Sequence, residues 1–108
     1  MIINKEKYHN FSLNLLNKRF IDACENGDLE LVQFLVSGEL KKKVNIHING
    51  EIGFKLACKN NHLDIVSFLL TSPSIKRKPD IHIENDSPAR QACVNESIDV
   101  LHYLLTSQ

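Results

Sequence analysis

The sequence has few aromatic residues: tryptophan is absent, and five Phe and two Tyr make up 6% of its 108 residues. The hydrophobic fraction is nevertheless 43%, so aliphatic side chains are expected to form the core. Net charge is absent as well, because 13 Lys and Arg residues balance 13 Asp and Glu residues. Overall charge therefore gives no attraction to nucleic acid or to a membrane, although a local patch still can.

Long apolar runs are also missing. The polar N-terminus lacks the apolar stretch of a signal peptide, and no segment approaches the roughly 18 apolar residues of a membrane span. We therefore expect a soluble, intracellular protein, and a chain of this length fits one domain. The sequence leaves open whether the chain is a whole protein or part of a longer one.

Motifs of enzymes and metal sites do not occur in the sequence. It contains no Gly-rich phosphate loop, no G-x-S-x-G and no H-E-x-x-H. No C-x-x-C or Cys/His cluster has the spacing of a zinc site. We predict no catalysis, no cofactor and no bound metal.

One pattern occurs three times along the chain. Its marker is an Ala-Cys pair, found at Ala23-Cys24, Ala57-Cys58 and Ala92-Cys93 with offsets of 34 and then 35 residues. An aliphatic stretch at helical spacing follows each pair. A period in this range is typical of stacked helical units.

The cysteines hold equivalent positions, and we predict that all three are small, buried apolar residues. Packed neighbouring helices lie about 10 Å apart, whereas a disulfide requires Cα atoms within about 7 Å. No disulfide is therefore expected.

Each unit reads as a helix, a tight turn and a second helix. Asn60-Asn61 is the turn of the middle unit and Asn26-Gly27 that of the first, where Gly27 can adopt a positive φ. Between units, residues 37–48 align with residues 72–83 at an offset of 35. The alternation in Ile46-His47-Ile48 is typical of an extended segment, and Asn49-Gly50 is a turn signal. These features predict a short β-turn finger before each following helix.

Units of this kind and period resemble ankyrin repeats. Residues 87–93, Ser-Pro-Ala-Arg-Gln-Ala-Cys, keep the hydroxyl-Pro pair of the family's Thr-Pro-Leu-His-x-Ala-Ala helix start. Residues 61–66, Asn-His-Leu-Asp-Ile-Val, are similar to the family's Gly-His-Leu-Glu-Val-Val run. Residues 80–86 further resemble repeats of giant viruses of amoebae and of amoeba-associated intracellular bacteria.

The resemblance implies an all-α ankyrin-repeat solenoid of about three helix-turn-helix units joined by short β-turn fingers. Residues 1–14 would be an N-terminal extension or capping helix, with Asn10 or Ser12 as its cap and with Phe11, Leu13 and Leu16 covering the first interface. Residues 15–108 would be the repeat domain, with units at about 15–45, 46–80 and 81–108. Ala89 and Gln91 replace larger apolar residues in the third unit, as in a capping repeat.

The resemblance also implies a non-catalytic module that binds a partner protein through its finger tips and first helices. Such a module would act as an inhibitor, a recruiter or a host-directed effector, in the cytoplasm or in the host cytoplasm. Carried onto this chain, the candidate contact positions are Glu25, Asn49, Gly50, Glu51, Lys55, Lys59, Glu84, Asn85, Asp86, Arg90 and Val94.

Two alternatives to this function are open. The basic triads Lys41-Lys42-Lys43 and Lys76-Arg77-Lys78 are in register, so stacking would join them into a patch for nucleic acid, anionic phosphates or an acidic protein. No aromatic residues interleave them, which weakens binding by base stacking. Uncovered leucines near the C-terminus would instead favour self-association at that face.

The histidines of the fingers, His47 and His82, are also in register. We predict that each forms a hydrogen bond within its own finger, and the alternative is a pH-sensitive or metal-binding pair. His62 lies in the turn of the middle unit, where its ring is predicted to tie backbone groups together.

Overall fold

The computed structural model describes residues 3–106. Residues 1–2 and 107–108, at the outer ends of the predicted extension and third unit, lie outside that range. Within it the chain forms seven helices and no strand, which confirms the all-α prediction. The helices are α1 (Lys5–Tyr8), α2 (Leu13–Asn26), α3 (Leu29–Val36), α4 (Ile48–Lys59), α5 (Leu63–Thr71), α6 (Ile83–Val94) and α7 (Ile98–Thr106).

The helices form two layers. The first helices of the three units, α2, α4 and α6, lie side by side with α4 in the middle. The second helices, α3, α5 and α7, pack against the first helix of their own unit and against each other. The described chain measures 38 × 26 × 22 Å, an elongated shape that follows because units in a solenoid contact only their neighbours.

The core lies between the two layers and between successive units. Phe20 and Phe54 occupy equivalent positions on α2 and α4, and both are fully buried. Gly53 allows these two helices to approach, because a Cβ atom there would lie 2.7 Å from Cε2 of Phe20. The second helices add fully buried aliphatic side chains, namely Val32, Ile65, Val66, Leu69 and Val100.

The turn between the two helices of each unit uses the left-handed region of the backbone. Gly27 has φ 79°, and Asn61 and Glu96 at the equivalent positions have φ 59° and 57°. A side chain at position 27 would also clash with the His62 ring, since a Cβ atom there would lie 2.7 Å from its Cε1 atom. The prediction of a positive φ at Gly27 is confirmed.

The N-terminal end of the stack is covered by α1 and the segment after it. Tyr8 is buried, with ring centroids 5.6 Å from Phe34 and 5.0 Å from Phe11. Ser12 caps α2, its side chain accepting a hydrogen bond from Leu15 N at 3.2 Å. Of the predicted covering residues, Leu16 is buried and Phe11 half-buried, but Leu13 is exposed.

The cysteines do not share one environment, which corrects the prediction that all three are buried. Cys24 and Cys58 are fully buried thiols, whereas the thiol of Cys93 is exposed. Burial raises the pKa of Cys58 to about 12. Burial, and then the charge of Cys58, raises the pKa of Cys24 further. Cys93 differs because it lies on α6, the first helix of the third unit, and no further unit packs against α6 within the described residues.

We expect a thiol reagent such as Ellman's reagent, at about pH 8, to modify one cysteine quickly and two slowly. The fast site is Cys93, and the buried pair should react at least about a hundredfold more slowly, because both require local opening. Cys93→Ala should remove the fast phase and leave the slow phases unchanged. A second fast thiol in the native protein would contradict this expectation.

Candidate functional site

The two fingers are built alike, and they are turns rather than extended segments. In finger 1 (residues 45–51), Ile48 N donates to Asn45 O at 3.3 Å and His47 N donates to Asn45 Oδ1 at 3.0 Å. Finger 2 (residues 80–86) repeats both bonds, at 3.3 Å and 2.9 Å. The expectation of an extended Ile-His-Ile segment is wrong, since His47 has φ −97° and ψ 9°.

Each finger ends in three successive residues with left-handed dihedrals. They are Asn49, Gly50 and Glu51 in finger 1, with φ between 53° and 64°, and residues 84–86 in finger 2, with φ between 53° and 62°. A non-glycine residue in this region is strained by roughly 1–2 kcal/mol, so the conformation needs support from side chains around it.

A histidine and a carboxylate four residues later supply part of that support. His47 Nδ1 donates to Glu51 Oε1 at 2.7 Å, and His82 Nδ1 donates to Asp86 Oδ1 at 2.5 Å. The prediction that both histidines form local bonds within their fingers is confirmed. We call each of these pairs a clasp.

The two clasps differ in burial, and within residues 3–106 the first alone is tied to a following finger. Glu51 is 5% exposed, and its second oxygen, Oε2, accepts from Asp80 N at 2.8 Å. The side chain of Asp86 is 59% exposed. The prediction of Glu51 as a contact position is therefore corrected, because its carboxylate is buried and both of its oxygens accept hydrogen bonds within the molecule.

A bond of the same kind joins the first unit to finger 1, and sequence reasoning missed it. We call a hydrogen bond that joins one unit to the next a tie. Asn17 Oδ1 accepts from Asn45 N at 2.8 Å, and Asn17 is buried. Asn17 and Glu51 are equivalent at the offset of 34, as are Asn45 and Asp80 at 35. A polar residue on the apolar face of α2 was the available signal, because a buried amide requires a partner.

Four further candidate contact residues are bonded to one another, and one of these bonds joins the middle unit to the third. Lys55 Nζ lies 2.6 Å from Glu84 Oε1, and the Lys55 side chain is only 14% exposed. Arg90 donates to Glu84 O at 2.6 Å and to Asn85 O at 2.8 Å. The tip of finger 2 is thus held by side chains from both α4 and α6.

A second kind of tie holds the turns. His62 Nε2 donates to Glu25 O at 2.9 Å, which confirms the predicted role of its ring. Ser97 occupies the equivalent position one unit later, and its hydroxyl donates to Lys59 O at 2.6 Å. These bonds use backbone carbonyls, so the side chains of Glu25 and Lys59 stay exposed.

The candidate contact surface therefore divides into buried or half-buried positions and exposed positions. Glu51 is buried and Lys55 is half-buried in an ion pair. Val94 is 79% exposed. The exposed candidate positions are Glu25, Asn49, Gly50, Lys59, Glu84, Asn85, Asp86, Arg90 and Val94. They lie at the finger tips and at the ends of the first helices.

Five of the six residues of the two basic triads, all except Lys78, line one groove on another part of the surface. Lys42 Nζ donates to Phe11 O at 2.8 Å, and Lys78 Nζ donates to Ile75 O at 2.6 Å and also to Ser72 O. The remaining four cations border a groove of about 770 Å³ together with the end of α3. We call this feature the basic groove; its cations without such bonds are Lys41, Lys43, Lys76 and Arg77.

Residues 3–106 contain no group of three or more His, Cys, Asp or Glu side chains placed to hold a metal ion. Over the same range, no helix has the length and apolar character that crossing a membrane requires.

Comparison with known proteins identifies the repeats. The family model for ankyrin repeats (3 copies) matches residues 20–108, which is most of the chain. A search of solved structures finds no match. The matched region contains the three Ala-Cys pairs, both fingers and helices α3 to α7 in full. The chain belongs to the ankyrin-repeat family.

Proposed function

We propose that this protein binds a partner protein through its finger tips and first helices, without catalysis. Ankyrin repeats are generally protein–protein interaction modules. The observation that carries the proposal here is the support of the finger tips: the clasps, the tie of Glu51 to Asp80 N, the ion pair of Lys55 with Glu84 and the bonds of Arg90 to backbone carbonyls hold them in place. A surface that is ordered before binding loses little conformational entropy on docking.

The contact surface is chemically mixed, which favours a partner with matching charges. Glu25, Lys59 and Val94 occupy equivalent positions on successive first helices and present a negative, a positive and an apolar side chain. Charge complementarity of this kind sets specificity and association rate more than raw affinity. We infer that partner choice depends on this row and on the two unlike finger tips.

The test compares two charge swaps that keep the net charge. Glu25→Lys with Lys59→Glu alters the contact surface and leaves the carbonyl ties in place. Lys7→Glu with Glu30→Lys is the control, at exposed positions outside that surface. Each protein captures partners from a lysate of the source cells for quantitative mass spectrometry, and the affinity for each captured protein is then measured.

A specific partner should bind the wild type and the control alike, and the contact-surface swap at least about tenfold more weakly, which corresponds to about 1.4 kcal/mol. If every captured protein responds equally to the two swaps, the proposed surface is wrong.

Finer aspects of function stay predictions. The resemblance of residues 80–86 to repeats of amoebal viruses and bacteria supports a host-directed effector role, in which the protein would act as an inhibitor or a recruiter. Three free thiols are typical of a reducing compartment such as the cytoplasm.

Self-association is a second candidate function, and exposed apolar side chains on α6 and α7 favour it. Val94, Ile98 and Leu105 are 79%, 63% and 64% exposed. Leu104, which the sequence placed on the same uncovered face, is buried and Leu101 is half-buried.

Nucleic acid binding by the basic triads is weakened, because Lys42 and Lys78 are bonded to carbonyls within the molecule.

A further inference from the structure

The basic groove combines positive charge at its rim with an aliphatic floor. We propose that it binds an acidic peptide segment of a partner protein, with an aliphatic side chain of that peptide inserted between the two loops. This site is separate from the finger tips, since no candidate contact position lines the groove. It would give the protein a second attachment point.

Charge complementarity is the first argument for an acidic ligand. Within residues 3–106, Lys41, Lys43, Lys76 and Arg77 form none of the ion pairs that the structure contains. The chain as a whole is neutral, so four uncompensated cations around one groove form a local positive field. Such a field attracts carboxylates and raises their rate of association.

The floor of the groove argues for a peptide over a nucleic acid. Leu40 and Val44 from the loop of residues 37–44, Ile46 at the base of finger 1 and Ile75 from the loop of residues 72–79 line it. No Phe, Tyr or Trp is among the lining residues. Nucleic acid bases bound without pairing depend on stacking against aromatic side chains. An aliphatic floor suits a leucine or isoleucine side chain instead.

The depth of the apolar residues argues against a membrane surface. Leu40, Val44, Ile46 and Ile75 are each only 7–8% exposed, whereas the four cations at the rim are exposed. A membrane-binding surface places apolar side chains outermost, where they enter the acyl layer. Here a narrow chain can reach the floor, whereas a flat bilayer meets only the cations.

Fluorescence polarisation with a synthetic peptide tests the proposal. The probe is a dye-labelled Glu-Asp-Leu-Glu-Asp-Leu-Glu-Asp peptide, and a second peptide carries Ser in place of both Leu. The protein variants are Lys43→Glu with Lys76→Glu, and the matched control Lys7→Glu with Lys18→Glu, which changes the net charge equally at exposed positions away from the groove.

We expect the groove variant to bind the leucine peptide at least about tenfold more weakly than the control at about 50 mM salt. The difference should shrink at about 500 mM salt, because the Debye length is shorter there and the charges are more strongly screened. The serine peptide should bind the wild type more weakly than the leucine peptide. No binding, equal losses in both variants, or equal binding of the two peptides would overturn the proposal. So would tighter binding of a labelled oligothymidine or of anionic phospholipid vesicles. The result does not depend on the finger tips, so it can fail while the partner-binding function holds.

Discussion

Phe54→Ala is expected to lower the free energy of unfolding by about 3–5 kcal/mol, the usual cost of deleting a buried aromatic ring. The ring is fully buried on α4, the helix that packs against both α2 and α6. A cavity at this position therefore weakens the packing of the central helix of the stack. Urea unfolding followed by circular dichroism measures the change.

Leu105→Ala is the control, because that side chain is 64% exposed and its loss should change stability by no more than about 0.5 kcal/mol. Phe54→Leu keeps most of the volume, so it should lose less than Phe54→Ala and remain measurable if the alanine variant does not fold. Similar losses for Phe54→Ala and Leu105→Ala would show that the stack does not depend on this ring.

Glu51→Ala is expected to lower the free energy of unfolding by about 1–3 kcal/mol, because it leaves two donors of the structure without their acceptor. Those donors are His47 Nδ1 and Asp80 N. The loss also releases finger 1 from the start of finger 2, so we expect faster amide exchange at Asp80 and weaker partner binding.

Asp86→Ala is the matched control, since it removes the equivalent clasp from finger 2. The Asp86 side chain is 59% exposed and accepts from His82, with no finger after it in the described residues. An exposed pair contributes at most about 1 kcal/mol, so stability should change less than for Glu51→Ala. Equal losses in the two variants would mean that the clasp, and not the tie to the next finger, is what Glu51 contributes.

The repeating parts of this protein were accessible from its sequence. The period predicts the helices, because each interface requires the same residue types at the same spacing. The positive φ of Gly27 was predicted from the conformational freedom of glycine, and the ring contact of His62 from its position in the turn. The local bonds of His47 and His82 were predicted from their place in the fingers.

The differences between equivalent positions were not accessible in the same way. The repeat alignment makes Cys93 equivalent to Cys58 and Asp86 equivalent to Glu51. The burial of each side chain, however, depends on whether another unit packs against it. Asn49-Gly50 signals a turn, but the third left-handed residue, Glu51, is held partly by its bond to Asp80 N of the next finger, which no local pattern encodes. Lys42 and Lys78 belong to charged triads, yet backbone carbonyls nearby in space fix their direction.

The ties between units also give the stack a direction. His62 and Ser97 each reach back to a carbonyl of the unit before, while Asn17 and Glu51 each reach forward to the finger that follows. With each finger assigned to the helix pair that follows it, the middle unit is tied on both sides within the described residues, to the first unit and to the third. An end unit detaches when the bonds at one interface break, whereas the middle unit opens only when the bonds at both interfaces break. Amide exchange by local unfolding is therefore expected to be slowest in α4 and α5.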